Sequence, residues 1–263
     1  MGRVVPGLVP VMNEQSPLAG QSVLVTGAAR RVGAAIAREL HSHGANVLIH
    51  HRGSAAEARA LAASLNDMRR GSAALAQAEL RDEAALAGLV ERSVQAFGRL
   101  DILVNNASAF YPTPVGEITS AQWDEFLGSN LKAPLFLSQA AAPQLRRTRG
   151  LIVNIVDIHA LRPLKRHTVY SITKAGLAML TRSLARELGP EIRVNGVAPG
   201  PVAWPEDGID PALQEEIVER TALKRAGSPD DVARAVAFFA KDAPYVTGQI
   251  LAVDGGRSIG WSA

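Results

Sequence analysis

The stretch TGAARRVG, residues 26–33, follows a short apolar run and opens an amphipathic segment. This is the context of a phosphate-binding turn between a strand and a helix, because the first N–H groups of a helix have no partner and attract anions. Gly27 permits a tight turn, and Gly33 permits close approach of the helix to the strand. Arg31 stands where a middle glycine would let the backbone reach a pyrophosphate, so an ordinary strand–helix turn remains an alternative. The neighbouring Arg30 and Arg31 favour phosphate binding, with Arg31 extending into the site.

Short β-branched or apolar runs alternate with longer amphipathic segments around this turn and along the rest of the chain. Strand candidates are residues 22–26, 46–50, 73–78, 101–105, 151–155, 193–197 and 249–253. Helix candidates are residues 31–43, 54–67, 82–97, 120–147, 166–188 and 229–240, with a less regular piece around residues 211–223. Nearly continuous apolar strands between helices predict an α/β, doubly wound Rossmann fold with a seven-stranded parallel sheet flanked by helices on both faces. Ligands of such folds bind beyond the carboxyl ends of the strands.

The composition favours a single domain over residues 20–263, because 263 residues with 47% apolar content show no shift in composition. We divide this domain into a cofactor half, about residues 20–150, and a catalytic and substrate half, about residues 151–263. Residues 1–19 are predicted to be a disordered extension, with Met12 as an alternative start.

The charge balance and the residue types exclude several classes of protein. A net charge of +3 is too small to indicate nucleic-acid binding by itself, and the chain has no cysteine for disulfides or thiolate chemistry. It lacks a run of eighteen apolar residues and a signal-peptide pattern, so we predict a cytoplasmic protein without membrane partners. The six histidines form no ligand set, so no metal is predicted, and His41 and His43 are expected to be exposed at a helix end.

The stretch LIHHRGS, residues 48–54, ends the second predicted strand without the acidic residue that would bind a ribose diol in an NAD enzyme. His50, Arg52 and Ser54 offer charge and hydroxyl donors to a 2′-phosphate. This pattern favours NADP(H) over NAD(H). A solvated basic loop is the alternative.

Two further segments supply candidate site residues. The stretch Asn105, Asn106, Ala107 and Ser108 at the end of the fourth strand is expected to line a cofactor. Phe110 and Tyr111 follow it, and this aromatic pair either stacks on a flat ligand or covers the protein surface. Tyr170 and Lys174 share one helix face at a spacing of four residues, where the lysine charge lowers the cost of forming a tyrosinate.

The chain resembles the short-chain dehydrogenase/reductase family from residue 20 onward. The resemblance rests on TGAARRVG, the Asn-Asn-Ala stretch, the Tyr170 and Lys174 pair, RVNGVAPG (193–200) and VTGQILAVDGG (246–256). Within this family the details resemble the pteridine reductases. They are Arg31 in place of a glycine, HHRGSAAEA (50–58), NNASAFYPTP (105–114), and Asp157 where most relatives carry serine.

The resemblance implies the following roles. The catalytic residues would be Asp157, Tyr170, Lys174 and Asn130. Residues binding NADPH would be Gly27, Arg30, Arg31, Val32, Gly33, His50, Arg52, Ser54, Glu79, Leu80, Asn106, Ala107, Ser108, Lys174, Pro199 and Gly200. Residues binding substrate would be Arg31, Ser108, Phe110, Asp157, Tyr170 and Trp204. Phe110 would stack the pterin, Lys174 would hold the ribose and lower the pKa of the tyrosine, and Asn130 would complete a water relay.

Asp157 distinguishes the reactions that the resemblance allows. Most relatives reduce a carbonyl, whereas a pteridine reductase delivers hydride to a C=N bond, whose nitrogen needs a proton. By similarity Asp157 and Tyr170 would supply it, with the carboxyl kept protonated in a dry site.

Several departures and alternatives remain. Glu79 replaces a usual aspartate near the adenine, and the tail ends in Trp261 rather than a basic residue lent to a neighbouring subunit, for which Arg257 is a substitute. The leading hypothesis is NADPH-dependent reduction of a dihydropterin to the tetrahydro form. The alternatives are a carbonyl or 3-oxoacyl reductase and a non-catalytic NADP-binding sensor. The family also implies a homotetramer.

Overall fold

The computed structural model describes residues 16–204, 208 and 210–259. Seven parallel strands form one sheet in the order β3-β2-β1-β4-β5-β6-β7, which confirms the predicted fold. The strands are β1 (Ser22–Val25), β2 (Asn46–His51), β3 (Ala73–Gln77), β4 (Ile102–Asn105), β5 (Leu151–Ile155), β6 (Arg193–Pro199) and β7 (Ile250–Val253). Each strand begins and ends within two residues of its prediction.

Helices cover both faces of this sheet. They are α1 (Arg31–Ser42), α2 (Ala55–Met68), α3 (Glu83–Phe97), α4 (Ser120–Leu127), α5 (Ala133–Thr148), α6 (Thr168–Leu188), α7 (Pro211–Glu219) and α8 (Pro229–Lys241). Adjacent strand residues point to opposite faces. Val23 packs in the cluster under α1, α2 and α8, and Leu24 packs in the cluster under α3, α5 and α6. Burial on both faces explains why the strands are apolar without alternation.

The region predicted as one helix over residues 120–147 is interrupted by a π-helical turn, Gly128–Lys132, between α4 and α5. Pro134 stands at the second position of α5. A proline has no N–H for the carbonyl four residues earlier, and its ring crowds that carbonyl, which here belongs to Asn130. A π-turn is the local adjustment that accommodates this defect, and it carries Asn130.

The structure corrects the expected exposure of His41 and extends the packed region before residue 20. His41 is 3% exposed, and its Nε2 lies 2.7 Å from Ser72 Oγ. Burial lowers the pKa of His41, with a smaller contribution from Arg69. Leu18 is 1% exposed, and its amide donates to the carbonyl of His43 at 2.9 Å. Residues 1–15, with Met12, lie outside the described residues.

Within the part of the chain that the structure describes, none of the helices has both the length and the hydropathy that a membrane span needs. The same residues contain no group of histidine and carboxylate side chains arranged to hold a metal ion.

Candidate active site

The turn after β1 closes on the chain that leaves β4. Thr26 Oγ1 accepts from the amides of Asn106 at 2.9 Å and Ala107 at 3.0 Å, and Asn106 Nδ2 donates to the Thr26 carbonyl at 2.8 Å. Gly27 has a φ of +60°, and a Cβ on Gly33 would lie 2.3 Å from the Gly27 carbonyl oxygen. Both glycines are therefore required by the backbone, and the turn offers the N-terminus of α1 at the carboxyl edge of the sheet.

Arg31 is bonded to the loop after β6. Its Nη2 donates to the carbonyls of Ala203 at 3.3 Å and Trp204 at 3.0 Å. Arg31 has a φ of +52°, a backbone conformation that is uncommon for residues other than glycine and costs about 1 kcal/mol or more. The structure thus joins Arg31 and Trp204, two predicted substrate residues. Its predicted contact with a pyrophosphate stays a prediction. Residues 205–207 and 209 lie outside the described residues.

His50 does not supply positive charge to a phosphate, contrary to the expectation from the sequence. Its Nδ1 accepts from the Gly27 amide at 3.0 Å, and its Nε2 lies 3.1 Å from the Ala78 carbonyl. Because an amide can only donate, Nδ1 is the acceptor and Nε2 carries the hydrogen. Burial lowers the pKa of His50 to about 4, so the ring is neutral at pH 7. Its role is to link the turn after β1 to the end of β3.

The groups at the ends of β2 and β3 form a small charge network. Arg52 Nη1 lies 3.8 Å from Glu79 Oε2, and Arg81 Nη2 lies 3.1 Å from the same oxygen. The hydrogen bond from Arg81 is the main cause of the lowered pKa of Glu79. Ser54 precedes α2 without a side-chain bond to its first turn, and Leu80 is buried.

These residues fit a dinucleotide cofactor of the NAD(P) type. A turn closed by glycines without room for a Cβ admits a phosphate to the first amides of α1. No acidic residue stands between His50 and Ser54 at the end of β2, and Arg52 supplies a cation there. Arg30 lies 4.0 Å from Glu57 in an ion pair beside the turn, and Val32 follows in α1.

The hydroxyl of Tyr170 donates to Asp157 Oδ2 at 2.7 Å. The amide of His159 donates to the other carboxylate oxygen, Oδ1, at 2.8 Å. Asp157 follows β5 in an extended conformation, and Tyr170 is on the first turn of α6. Both oxygens of Asp157 therefore act as acceptors. In the bond as found the phenol is the donor, and the expected role of Asp157 as a proton donor stays a prediction.

The pKa of Tyr170 is raised well above its usual value of 10.0, first by burial and then by the charge of Asp157 and the bond to it. The expectation that Lys174 lowers this pKa is therefore corrected. Lys174 is 2% exposed, its Nζ donates to the Ile155 carbonyl at 2.9 Å, and burial lowers its own pKa to about 8. The nitrogen lies 5.6 Å from the centre of the Tyr170 ring.

The side chain of Asn130 forms two hydrogen bonds with the backbone of the loop after β4. Its Oδ1 accepts from the Ala109 amide at 2.8 Å, and its Nδ2 donates to the Ala109 carbonyl at 3.0 Å. Nδ2 also lies 3.2 Å from Thr173 Oγ1, whose hydroxyl donates to the Tyr170 carbonyl at 2.7 Å. The π-turn thereby connects to α6. We name residues 106–113 the aromatic loop.

Phe110, in the aromatic loop, packs edge-on against Tyr170 with ring centroids 4.8 Å apart and planes at 78°. It also stacks on His167, at 4.8 Å and 16°. Phe110 is nevertheless 51% exposed, so part of its ring is open to a ligand. Sequence reasoning missed His167, although an aromatic residue three positions before Tyr170 is a usable signal on a helix.

The remaining predicted residues are placed as follows. Ser108 is exposed, and its hydroxyl donates to the adjacent Ala109 carbonyl at 3.2 Å, so the structure does not join it to the Asp157 and Tyr170 pair. Pro199 ends β6, and the Gly200 amide donates to the Val253 carbonyl at 3.0 Å. Arg257 donates to the Ile217 carbonyl of its own chain at 2.8 Å. Trp261 lies outside the described residues.

The arrangement combines a glycine turn before α1 with a buried phenol, a buried lysine and a partly exposed aromatic ring. The family model described as Enoyl-(Acyl carrier protein) reductase matches residues 27–258. Pteridine reductase 1 of Leishmania tarentolae is 39% identical over 90% of this chain and 96% of its own length. A 3-oxoacyl-[acyl-carrier-protein] reductase FabG of Staphylococcus aureus is 37% identical over 90% and 97%.

A solved structure also matches. A blue fluorescent protein from a metagenomic library, in complex with NADPH, superposes with a TM-score of 0.86 at 36% identity, covering 92% of this chain and 99% of that one. Fold, site and these similarities agree, and the chain belongs to the short-chain dehydrogenase/reductase family of NAD(P)(H)-dependent oxidoreductases.

Proposed function

We propose that the protein reduces a dihydropterin to its tetrahydro form with NADPH. The observation that carries this proposal is the 2.7 Å bond from Tyr170 to Asp157 at the position where most relatives carry a neutral serine. When bound, NADPH would supply a hydride to the carbon of a ring C=N bond. The ring nitrogen then takes up one proton, so the reaction consumes one hydride and one proton.

The pair of Tyr170 and Asp157 suits the supply of that proton. The phenol is protonated across neutral pH, and its hydroxyl is the donor in the bond to Asp157. Asp157 is only partly buried, so its carboxylate connects the phenol to solvent and returns a proton after each turnover. A carbonyl reductase has no need of a carboxylate here, since a hydroxyl is sufficient to orient the oxygen.

Phe110 supports a flat substrate. Its ring stacks on His167 and lies at nearly a right angle to the Tyr170 ring, and about half of its surface is exposed. A π-face beside a proton donor binds a planar heterocycle better than a flexible acyl chain, because an aromatic pair gains about 0.5–1.5 kcal/mol beyond the buried area.

The choice of NADPH over NADH rests on Arg52 and on the missing acid at the end of β2. The similarity to pteridine reductase 1 adds support. The similarity to FabG is of nearly the same extent, so a 3-oxoacyl reductase is the second candidate.

The experiment is NADPH oxidation, followed by absorbance, with dihydrobiopterin, dihydromonapterin and dihydrofolate. We expect turnover with at least one of them. If none of the three pterins is reduced but a 3-oxoacyl thioester is, the second candidate is favoured. Tight NADPH binding without reduction of any substrate favours the non-catalytic NADP-binding sensor.

The predicted homotetramer is part of this proposal. Exposed apolar side chains on the two helices that the family commonly pairs support it, namely Leu135 on α5 and Ile172 and Met179 on α6. Sedimentation velocity tests this assembly, and a monomer would contradict it.

A further inference from the structure

Helix α6 begins without a cap from its own chain neighbours. Its first helical residue is Thr168, and the preceding His167 makes no side-chain bond to the first turn. The amide of Val169 lacks an intrahelical partner at this position, and Val169 is 1% exposed, so water does not replace one. Thr113 Oγ1 accepts from this amide at 3.3 Å. A residue 56 positions away therefore performs the capping that a helix usually obtains locally.

The backbone of Thr113 forms a second link to the same place. Its amide donates to the Arg166 carbonyl at 2.6 Å, and Thr113 and His167 form an isolated parallel β-bridge. Arg166 has a φ of +63°, which is strained for a residue with a side chain and persists only where its surroundings hold it. Thr113 is 0% exposed. Its amide and hydroxyl thus tie the aromatic loop to the chain on both sides of His167.

Phe110 lies between two anchors of the aromatic loop. Asn130 holds Ala109, immediately before Phe110, and Thr113 holds the loop three residues after it. The ring of Phe110 contacts His167 and Tyr170, which flank the Val169 amide that Thr113 caps. The position of Phe110 relative to the phenol is therefore set from both ends.

We propose that Thr113 is a positioning residue that keeps Phe110 against Tyr170 by capping α6 from the aromatic loop. This inference rests on the proposed function for its kinetic consequence. The hydroxyl of Thr113 touches no reacting atom, and it acts through the ring of Phe110.

The primary test is Thr113→Val, which keeps the side-chain shape and the backbone bond but removes the hydroxyl. We expect KM for the dihydropterin to rise about fivefold, the factor that corresponds to a lost N-cap, while the NADPH dissociation constant stays unchanged. Thr113→Ser retains the hydroxyl and should restore KM. Thr119→Val is the matched control, because Thr119 caps α4 at the same 3.3 Å distance and belongs to no part of the site.

A double-mutant cycle with Phe110→Ala separates positioning from general destabilisation. If Thr113 acts through Phe110, Thr113→Val causes no further rise of KM in the Phe110→Ala background. An equal rise in both backgrounds, or an unchanged KM with a melting temperature lowered as in Thr119→Val, overturns the proposal.

A substrate-free measurement separates this inference from the proposed function. If the wild type reduces no pterin, the proposed function fails, and NMR contacts between the Phe110 and Tyr170 rings then decide on Thr113. Loss of these contacts in Thr113→Val, with faster hydrogen exchange of the Val169 amide, supports the inference. Retention of the contacts overturns it.

Discussion

Tyr170 donates its phenol hydrogen to Asp157 across 2.7 Å, and this bond joins the end of β5 to the first turn of α6. The bond places a carboxylate against the one buried phenol of the candidate site. We expect this carboxylate to affect which substrate is reduced. We expect the burial of Lys174 and His50 to make the free energy of unfolding depend on pH.

Substitution of Asp157 by serine distinguishes pterin reduction from carbonyl reduction. We expect Asp157→Ser to lower kcat/KM for the dihydropterin about 100-fold or more, the usual contribution of a positioned acid–base group, and to preserve the NADPH dissociation constant. Reduction of a 3-oxoacyl thioester should be retained or increased. Asp67→Ser, at an exposed position of α2, is the control. Undiminished pterin reduction in Asp157→Ser would remove Asp157 from the mechanism.

Lys174 should destabilise the protein at neutral pH. Its pKa falls from 10.5 to about 8 on burial, so the charged form at pH 7 costs on the order of 3 kcal/mol. Between pH 8 and 10.5 the unfolded chain binds more protons at Lys174 than the folded chain does. The contribution of Lys174 therefore makes the free energy of unfolding rise with pH over this range.

The measurement is urea unfolding of the wild type and Lys174→Met at pH 7, 9 and 10. We expect Lys174→Met to be more stable at pH 7 and its advantage to shrink toward pH 10, with activity lost. Lys165→Met, at an exposed position, should show no such change. A pH-independent difference between wild type and Lys174→Met would contradict the buried charge.

His50 should make the protein sensitive to acid. Folding lowers the pKa of His50 from 6.5 to about 4, so between these pH values the unfolded chain binds more protons at this residue than the folded chain. The contribution of His50 to the free energy of unfolding is therefore lost as the pH falls from about 6.5 to 4. The loss amounts to roughly 3 kcal/mol. In His50→Gln this part of the pH dependence should disappear, whereas His43→Gln should keep it. Unfolding curves at pH 7, 5.5 and 4.5 provide the comparison.

Arg31 should restrain the loop that carries Trp204. Its two bonds go to the carbonyls of Ala203 and Trp204, and a hydrogen bond contributes about 1 kcal/mol. We expect hydrogen exchange in residues 202–204 to be about fivefold faster in Arg31→Ala. Arg38→Ala, exposed on the same helix, should exchange like the wild type. Equal exchange in both variants would show that Arg31 does not hold this loop.

Much of the fold was predictable from local patterns. The apolar runs located all seven strands, because burial on both faces demands apolar residues at successive positions. Asp157, Tyr170 and Phe110 were also singled out from their neighbours in the sequence, and the structure brings the three together. The helix predictions were less accurate: α6 begins two residues late, α7 ends at Glu219 rather than at residue 223, and Pro134 disturbs residues 128–132. A periodic pattern does not show how a helix adjusts to a proline.

The partners of the polar side chains were decided by tertiary structure alone. His50 binds Gly27 and Ala78, and Thr113 caps a helix that begins 55 residues later. Residue types and spacing determined the strands, the turn and the presence of a phenol and a carboxyl. The sheet brings segments that are distant in sequence to one edge, and only there do burial and hydrogen bonding decide which group is neutral, which is charged and which holds another in place.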